Sequence, residues 1–286
     1  MLSYDKVKEN PSVLLAFTTL ERPEFEQLLI AFTKAWHEIE NKPRAYPRKR
    51  KRGGGRKSKL SSMADRLLFI LFYWKTYPIQ EVLAFMFGMS QAQANDWIHR
   101  LSKVLKKALG KGQYLPERDG KRLAQTIQDY ETLAFVQDGT ERRRQRPKDE
   151  KEQKAYYSGK KKAHTLKNHL VVHPENRRVC FLGQTVAGKK HDKKLADEEE
   201  LEFPSQATLE QDTGFQGYVP DEVILLQPKK KPRGKELTTA DKFINRCISS
   251  GRIIVENVLA GIKRCCIVKD IYRQGSISRL RTLTIK

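Results

Sequence analysis

The stretch that decides the fold is Leu133-Ala134-Phe135-Val136-Gln137-Asp138-Gly139-Thr140-Glu141. Upstream of it the apolar residues recur every three to four positions. Here they form a short continuous run that stops at an acid, as a buried strand delivering a carboxylate at its end reads. Downstream, Thr165 to His173, the turn-like Pro174-Glu175-Asn176 and Arg177 to Thr185 predict a hairpin. Ala207-Thr208-Leu209-Glu210-Gln211-Asp212 is a weaker strand candidate, again ending in an acid and followed by Thr213-Gly214-Phe215. The last strong feature is a helix over Arg252 to Lys263. Strands first and a helix later, with acids at strand ends, predict a mixed α/β layer.

Working back toward the N-terminus, the pattern is helical. After Pro23, the residues Phe25, Leu28, Leu29, Phe32 and Trp36 fall on one helical face. Met63, Leu67, Leu68, Leu71 and Phe72 do the same before a break at Tyr77-Pro78. A second helix carries Ile79, Val82, Leu83, Met86 and Phe87 and stops at Gly88; a third starts behind Ser90, a good N-cap, and runs from Gln91 to about Ala108. Helix, short turn with Gly, helix is the helix-turn-helix plan, in which Gln91, Gln93, Asn95 and Arg100 are side chains able to bond bases or phosphates. An ordinary three-helix bundle has the same periodicity. Between the first helix and these three, Lys42 to Lys59 holds ten Lys/Arg, no acid, two prolines and Gly53-Gly54-Gly55. It reads as a basic arm for a polyanion, or as a solvated loop.

Composition agrees with a DNA or RNA partner. The 286 residues are 38% hydrophobic, 31% charged and 9% aromatic, too apolar for a disordered chain and too polar for a membrane bundle. Lys+Arg number 56 against 34 Asp+Glu, a formal net charge of +22 that attracts polyanions. Cys180, Cys247, Cys265 and Cys266 contain no CxxC pair, and are expected as reduced thiols in a cytosolic chain. Met1-Leu2-Ser3-Tyr4-Asp5-Lys6 lacks the pattern of a secretory signal, and the longest apolar run, Leu67 to Trp74, is far below the roughly 18 residues of a membrane span. Neither secretion nor a membrane partner is expected.

At about 100° per residue, Arg252, Glu256 and Lys263 lie within a stripe of roughly 40°, beside Ile254, Val255, Val258, Leu259 and Ile262. Alone, the Arg–Glu spacing is that of an ordinary surface ion pair. Its neighbours change the reading. Asp138-Gly139-Thr140, Asp212-Thr213-Gly214-Phe215 and the Arg252/Glu256/Lys263 helix resemble, in order, the motifs of the DDE transposases of bacterial insertion sequences, the insertion-sequence-five family and its Harbinger-like relatives. Tyr157-Ser158-Gly159-Lys160-Lys161-Lys162-Ala163-His164-Thr165, Gly188-Lys189-Lys190-His191-Asp192 and Pro228-Lys229-Lys230-Lys231-Pro232-Arg233-Gly234-Lys235 are similar to further segments of that family, so the resemblance spans residues 61–273.

The resemblance implies a ribonuclease-H-like catalytic domain over 125–286, after a helix-turn-helix region at 61–120 and an N-terminal helix and basic arm at 1–60. It implies that Asp138, Asp212 and Glu256 hold two Mg²⁺ ions, with Mn²⁺ as a substitute, about 3.5–4 Å apart, the arrangement that stabilises both attacking and leaving oxygens at phosphorus. Lys263 would touch phosphate near the scissile bond, and Arg252 would either do so or orient Glu256. Lys160, Lys161, Lys162, His164 and Lys167 would track the DNA backbone or form a solvated hairpin face. His191 reads as a turn residue, and Asp129, Asp192 and Asp197 match no metal-ligand position of the family.

The implied activity is cutting at an element's terminal inverted repeats and joining the 3′-OH ends to target DNA. The implied setting is a homo-oligomer on DNA, in the cytoplasm of a bacterium and associated with its nucleoid. Two departures stand out: Ser249 where the family has Tyr, and a different reading after Asp270-Ile271-Tyr272-Arg273, as a frameshift or truncation would give. The competing classes are a DNA-binding remnant or repressor without catalysis, and an RNA-binding protein that would leave the three acids unexplained.

Overall fold

The computed structural model describes residues 1–41, 57–232, 234 and 236–273, apart from the side chains of residues 250 and 252. Most of the expected basic arm and the stretch after Arg273 therefore lie outside the described residues. Two compact units are present. One comprises Met1–Leu115 with Arg264–Asp270, the other Pro116–Lys263 with Ile271–Arg273.

The first unit is helical: α1 (Tyr4–Val7), α2 (Pro11–Thr18), α3 (Arg22–Glu40), α4 (Met63–Thr76), α5 (Gln80–Met86) and α6 (Gln91–Lys111). Four of the six starts have a local cause. Asn10 accepts from Val13 N with Pro11 in the first turn, Glu21 and Glu24 form a reciprocal cap, Ser62 accepts from Asp65 N, and Ser90 pairs with Gln93 in a capping box. Gly88, at φ +65°, ends α5 as expected; the N–H groups of Gly88 and Met89 bond back to the carbonyls of Phe85 and Ala84, which satisfies the last turn. Phe25 and Phe32 of α3 share one core with Leu67, Phe69 and Ile70 of α4, Phe87, and Leu101 of α6. The expected boundary between 1–60 and 61–120 is thus not a structural one. Trp36 and Trp97 stack at 6.1 Å, and the guanidinium groups of Arg66 and Arg100 lie 4.5 and 4.3 Å from the Trp36 ring.

The second unit contains α7 (Leu123–Ile127), β1 (Ala134–Arg143), α8 (Glu150–Tyr156), β2 (Tyr157–Ser158), β3 (Ala163–His173), β4 (Arg178–Leu182), β5 (Val186–Ala187), α9 (Asp192–Glu199), β6 (Thr208–Glu210), β7 (Ile224–Leu226) and α10 (Thr239–Ile262). The next helix, α11 (Cys266–Lys269), buries Ile267 in the core of the helical unit. The sheet runs β2-β3-β1-β6-β7, with β4 and β5 also paired to β3. β1 lies antiparallel to β3, from Val136 opposite Val172 to Arg143 opposite Thr165, and parallel to β6, from Ala134 opposite Thr208 to Val136 opposite Glu210.

Both faces of the sheet are covered. Val136, Leu170 and Val172 pack under Val255, Val258 and Leu259 of α10, while Phe135, Val171, Phe181 and Leu209 pack on the other face with Leu123, Ile127 and Ala196. The expected mixed α/β layer is present, with adjustments. β1 continues past Asp138 to Arg143 because β3 supplies antiparallel partners all the way. α10 begins at Thr239 rather than near Arg252, started by a capping box between Thr238 and Asp241.

Candidate active site

β1 and β6 position the two aspartates. Val136 stands opposite Glu210, and continuing that parallel register sets Gln137 beside Gln211 and Asp138 beside Asp212. The Gln137 amide donates to Gln211 Oε1, which fixes the continuation. Side chains alternate along β1, so Asp138 shares the α10 face with Val136, whereas Gln137 points to the opposite face. Asp138 lies two residues beyond the last pair that β1 forms with β6, and well inside β1 rather than at its end. Each carboxylate folds back onto its own chain: Asp138 Oδ1 accepts from Gly139 N at 2.7 Å and Asp212 Oδ1 from Thr213 N at 2.7 Å.

α10 lies over this face. At Gly251 it approaches the Glu210 side chain, where a Cβ would stand 2.4 Å from Glu210 Oε2. Four residues on, Val255 is buried against the sheet, and Glu256 follows it at the exposed flank of the helix. Lys263 is half-buried at the helix C-cap. The Arg252 side chain lies outside the described residues.

The expected gathering of Asp138, Asp212 and Glu256 into one metal cluster is not present: among the described residues no three His, Cys, Asp or Glu side chains come together as a metal site. The reason is local, since both aspartates are turned onto backbone amides and Glu256 is exposed. In kind, the donors fit a hard divalent cation, because carboxylate oxygens are what Mg²⁺ or Mn²⁺ takes.

Of the residues expected to track DNA, Lys160, Lys161 and Lys162 are exposed in the turn before β3. His164 is partly buried, edge-on to Tyr157 at 5.7 Å. Lys167 is a correction. It is 7% exposed, 3.0 Å from Asp192 Oδ1 and 3.8 Å from Glu141 Oε1, and donates to the Lys190 carbonyl at 2.8 Å, so it is spent inside the unit. Its partner Asp192 is the acid that motif matching passed over. The Asp192 carboxylate lies against Gly139 and Gly214, where a Cβ would meet it at 2.7 and 3.0 Å. A glycine following each aspartate was the available signal.

On the helix-turn-helix, Gln80 bonds both Gln91 and Asn95, and Gln93 serves the N-cap of α6. Arg100 is a second correction, being ion-paired to Glu40 and stacked on Trp36 rather than held out for a base. Beneath the strand ends, burial, followed by the charges of Asp197 and Glu199, pushes the Tyr218 hydroxyl well above its usual range. Burial also lowers the pKa of Arg118, an effect that the carboxylate of Glu199 opposes.

Residues 137–282 match the family model described as DDE superfamily endonuclease, and residues 58–111 match the helix-turn-helix of DDE superfamily endonuclease. The chain belongs to the DDE superfamily endonucleases. Its resemblance also extends to "Probable transposase for insertion sequence element IS702" of Microchaete diplosiphon, 31% identical over 225 residues, 79% of this chain and 78% of that protein. No solved structure matches the chain. The endonuclease match begins at Gln137 and runs past Arg273 to residue 282. No helix among the described residues is long and apolar enough to cross a membrane.

Proposed function

We propose that this DDE endonuclease is a transposase of the insertion-sequence-five type that cuts at the terminal inverted repeats of its element and joins the 3′-OH ends to target DNA. The observation that carries the reading is that Asp138 on β1 and Asp212, two residues past the end of β6, each follow one member of the bonded pair Gln137 and Gln211 where these parallel strands run side by side, in the unit whose helix α10 bears Glu256. These three carboxylates would hold divalent cations, Mg²⁺ or Mn²⁺, with Glu256 drawn in from the flank of α10. Two such ions stabilise the attacking and the leaving oxygen of an in-line displacement at phosphorus.

The chain's own residues bind and orient the DNA. Gln91, Gln93 and Asn95 in the first turns of α6 would exchange their bonds to Gln80 and to the N-cap for base edges, while Lys160, Lys161, Lys162, His164, Lys263 and Arg252 would neutralise phosphates. The same geometry serves hydrolysis first and strand transfer second, when the freed 3′-OH takes the place of water. Two DNA ends call for at least two copies of the chain, working on the nucleoid in the cytoplasm. A DNA-binding protein without cleavage is the second reading, favoured by the exposure of Glu256.

Cleavage of DNA carrying the element with its flanks, in Mg²⁺ or Mn²⁺, separates the two. Wild-type protein is expected to cut at the ends; Asp138→Ala and Glu256→Gln are expected to bind the same DNA without cutting. End binding by all three proteins with no cutting by any would establish the second reading.

A further inference from the structure

Resting on that reading of Asp138 and Asp212, a second set of residues acquires a role. The main-chain pairing of β1 with β6 stops at Val136 opposite Glu210, two residues short of the aspartates. What holds the strands together beyond that point is a rung of buried side chains on the face away from α10. His169 of β3 approaches Gln137 Oε1 with Nε2 at 3.1 Å, Gln137 donates to Gln211 Oε1, and Gln211 Nε2 donates to the Tyr218 carbonyl at 3.1 Å. His169, Gln137 and Gln211 are all fully buried. At its other end, His169 Nδ1 stands 2.6 Å from Glu199 Oε2, on the last turn of α9.

The rung has a direction. A backbone carbonyl only accepts, so Gln211 turns its amide nitrogen to Tyr218 and its oxygen to Gln137. Gln137 then donates to Gln211 and leaves its own oxygen for His169, whose Nε2 must carry a hydrogen. The contact with Glu199 is completed by one further hydrogen, on Nδ1 or on the carboxyl group. No member can be turned around without leaving a buried polar atom unpaired, which costs about 1–3 kcal/mol.

Strands lie about 4.8 Å apart, and cation–oxygen distances are about 2.0–2.1 Å for Mg²⁺, so carboxylates on neighbouring strands share a cation only within a narrow lateral spacing. α9 is tied to the same strand ends from its first turn, where Asp192 rests against Gly139 and Gly214. We propose that Glu199, His169, Gln137 and Gln211 form a clamp that sets the spacing of Asp138 and Asp212 for divalent cation binding. They are positioning residues, acting through the strands and not on substrate.

The test is Mn²⁺ binding to the DNA-free protein, followed by electron paramagnetic resonance of the free ion, with urea unfolding as a control. His169→Leu and Glu199→Leu are expected to weaken Mn²⁺ about 10-fold to 100-fold, the range seen when residues supporting metal ligands are removed. Glu199→Gln retains a side chain that can donate to Nδ1 and is expected to bind Mn²⁺ as wild type does. Should His169→Leu fail to fold, Glu199→Leu against Glu199→Gln carries the comparison. Asp138→Asn distinguishes the two levels of the argument. If it loses Mn²⁺ while both leucine variants keep it, the clamp is wrong and the site stands. If Asp138→Asn binds Mn²⁺ like wild type, the site reading falls and the clamp with it.

Discussion

Replacing one hydrogen by a methyl group at two glycines of the helical unit should move its stability in opposite directions. Gly88 sits at φ +65° in the turn between α5 and α6. An alanine there meets the left-handed penalty of about 1–2 kcal/mol, offset in part by the roughly 0.4–1 kcal/mol that a stiffer unfolded chain returns. The new methyl also lies 3.1 Å from Met1 Sδ, a flexible end that can yield. The net is a loss of about 1 kcal/mol. Gly110 lies within α6, and a Cβ there finds only Leu115 Cδ1 at an ordinary 3.5 Å. Alanine at that position should gain about 0.5–1 kcal/mol. With a urea slope of about 2 kcal/mol per molar, the two midpoints should separate by roughly 1 M. Trp36, Trp74 and Trp97 all fall in this unit, so tryptophan fluorescence reads it selectively. Equal midpoints, or a stabilised Gly88→Ala protein, would refute the backbone account of the turn.

The remaining predictions concern packing and titration. Leu209→Ala, at a side chain with no exposure, should cost about 2–5 kcal/mol and lower the unfolding temperature of the sheet unit by circular dichroism. Burial pushes the thiols of Cys180 and Cys265 up, while Cys247 is exposed, so a thiol reagent at pH 8 should label Cys247 first. Because an unfolded chain ionises these buried thiols near the ordinary value of 9.0, their contribution to stability should be lost as pH rises above that value, and replacing Cys180 by Ala should reduce the slope. Lys107 and Lys111 hold the Glu38 carboxyl down at about 2. Its stabilisation is present above the usual carboxylate range and lost as pH falls toward 2, and Glu38→Gln should remove that part of the acid dependence, weakly and less so in high salt.

The sequence is legible where local signals agree with tertiary packing. The run into Asp138 reads as a strand because Phe135 and Val136 are buried on opposite faces, and Gly88 and Ser90 mark real ends because their backbone roles are set within one turn. β2, β5 and β7 offer only two or three residues each, too few to establish a period. The first half of α10 escapes notice because Phe243 and Ile244 are exposed and follow no buried stripe, although Thr238 and Asp241 spell its cap. Lys167 looks outward by alternation, yet β3 is covered on both faces, so alternation chooses between two interiors. The rung under the aspartates joins residues from three separate segments, and no spacing within any one of them announces it.

The register that sets Asp138 level with Asp212 also fixes when the protein acquires its site. β3 and β4 meet across a short turn, from His173 to Arg178, whereas β1 and β6 join residues 74 apart, as in Val136 and Glu210. Closing the longer loop costs roughly 2 kcal/mol more chain entropy, so the antiparallel part forms ahead of the parallel pair. On the ribosome the delay is longer still. At 5–20 residues per second, the roughly 120 residues between Asp138 and Glu256 take about 6–24 s to appear. Throughout that interval α4, α5 and α6 have already been synthesised. A nascent chain therefore passes through a stage in which its helix-turn-helix exists and its three acids do not yet share a fold.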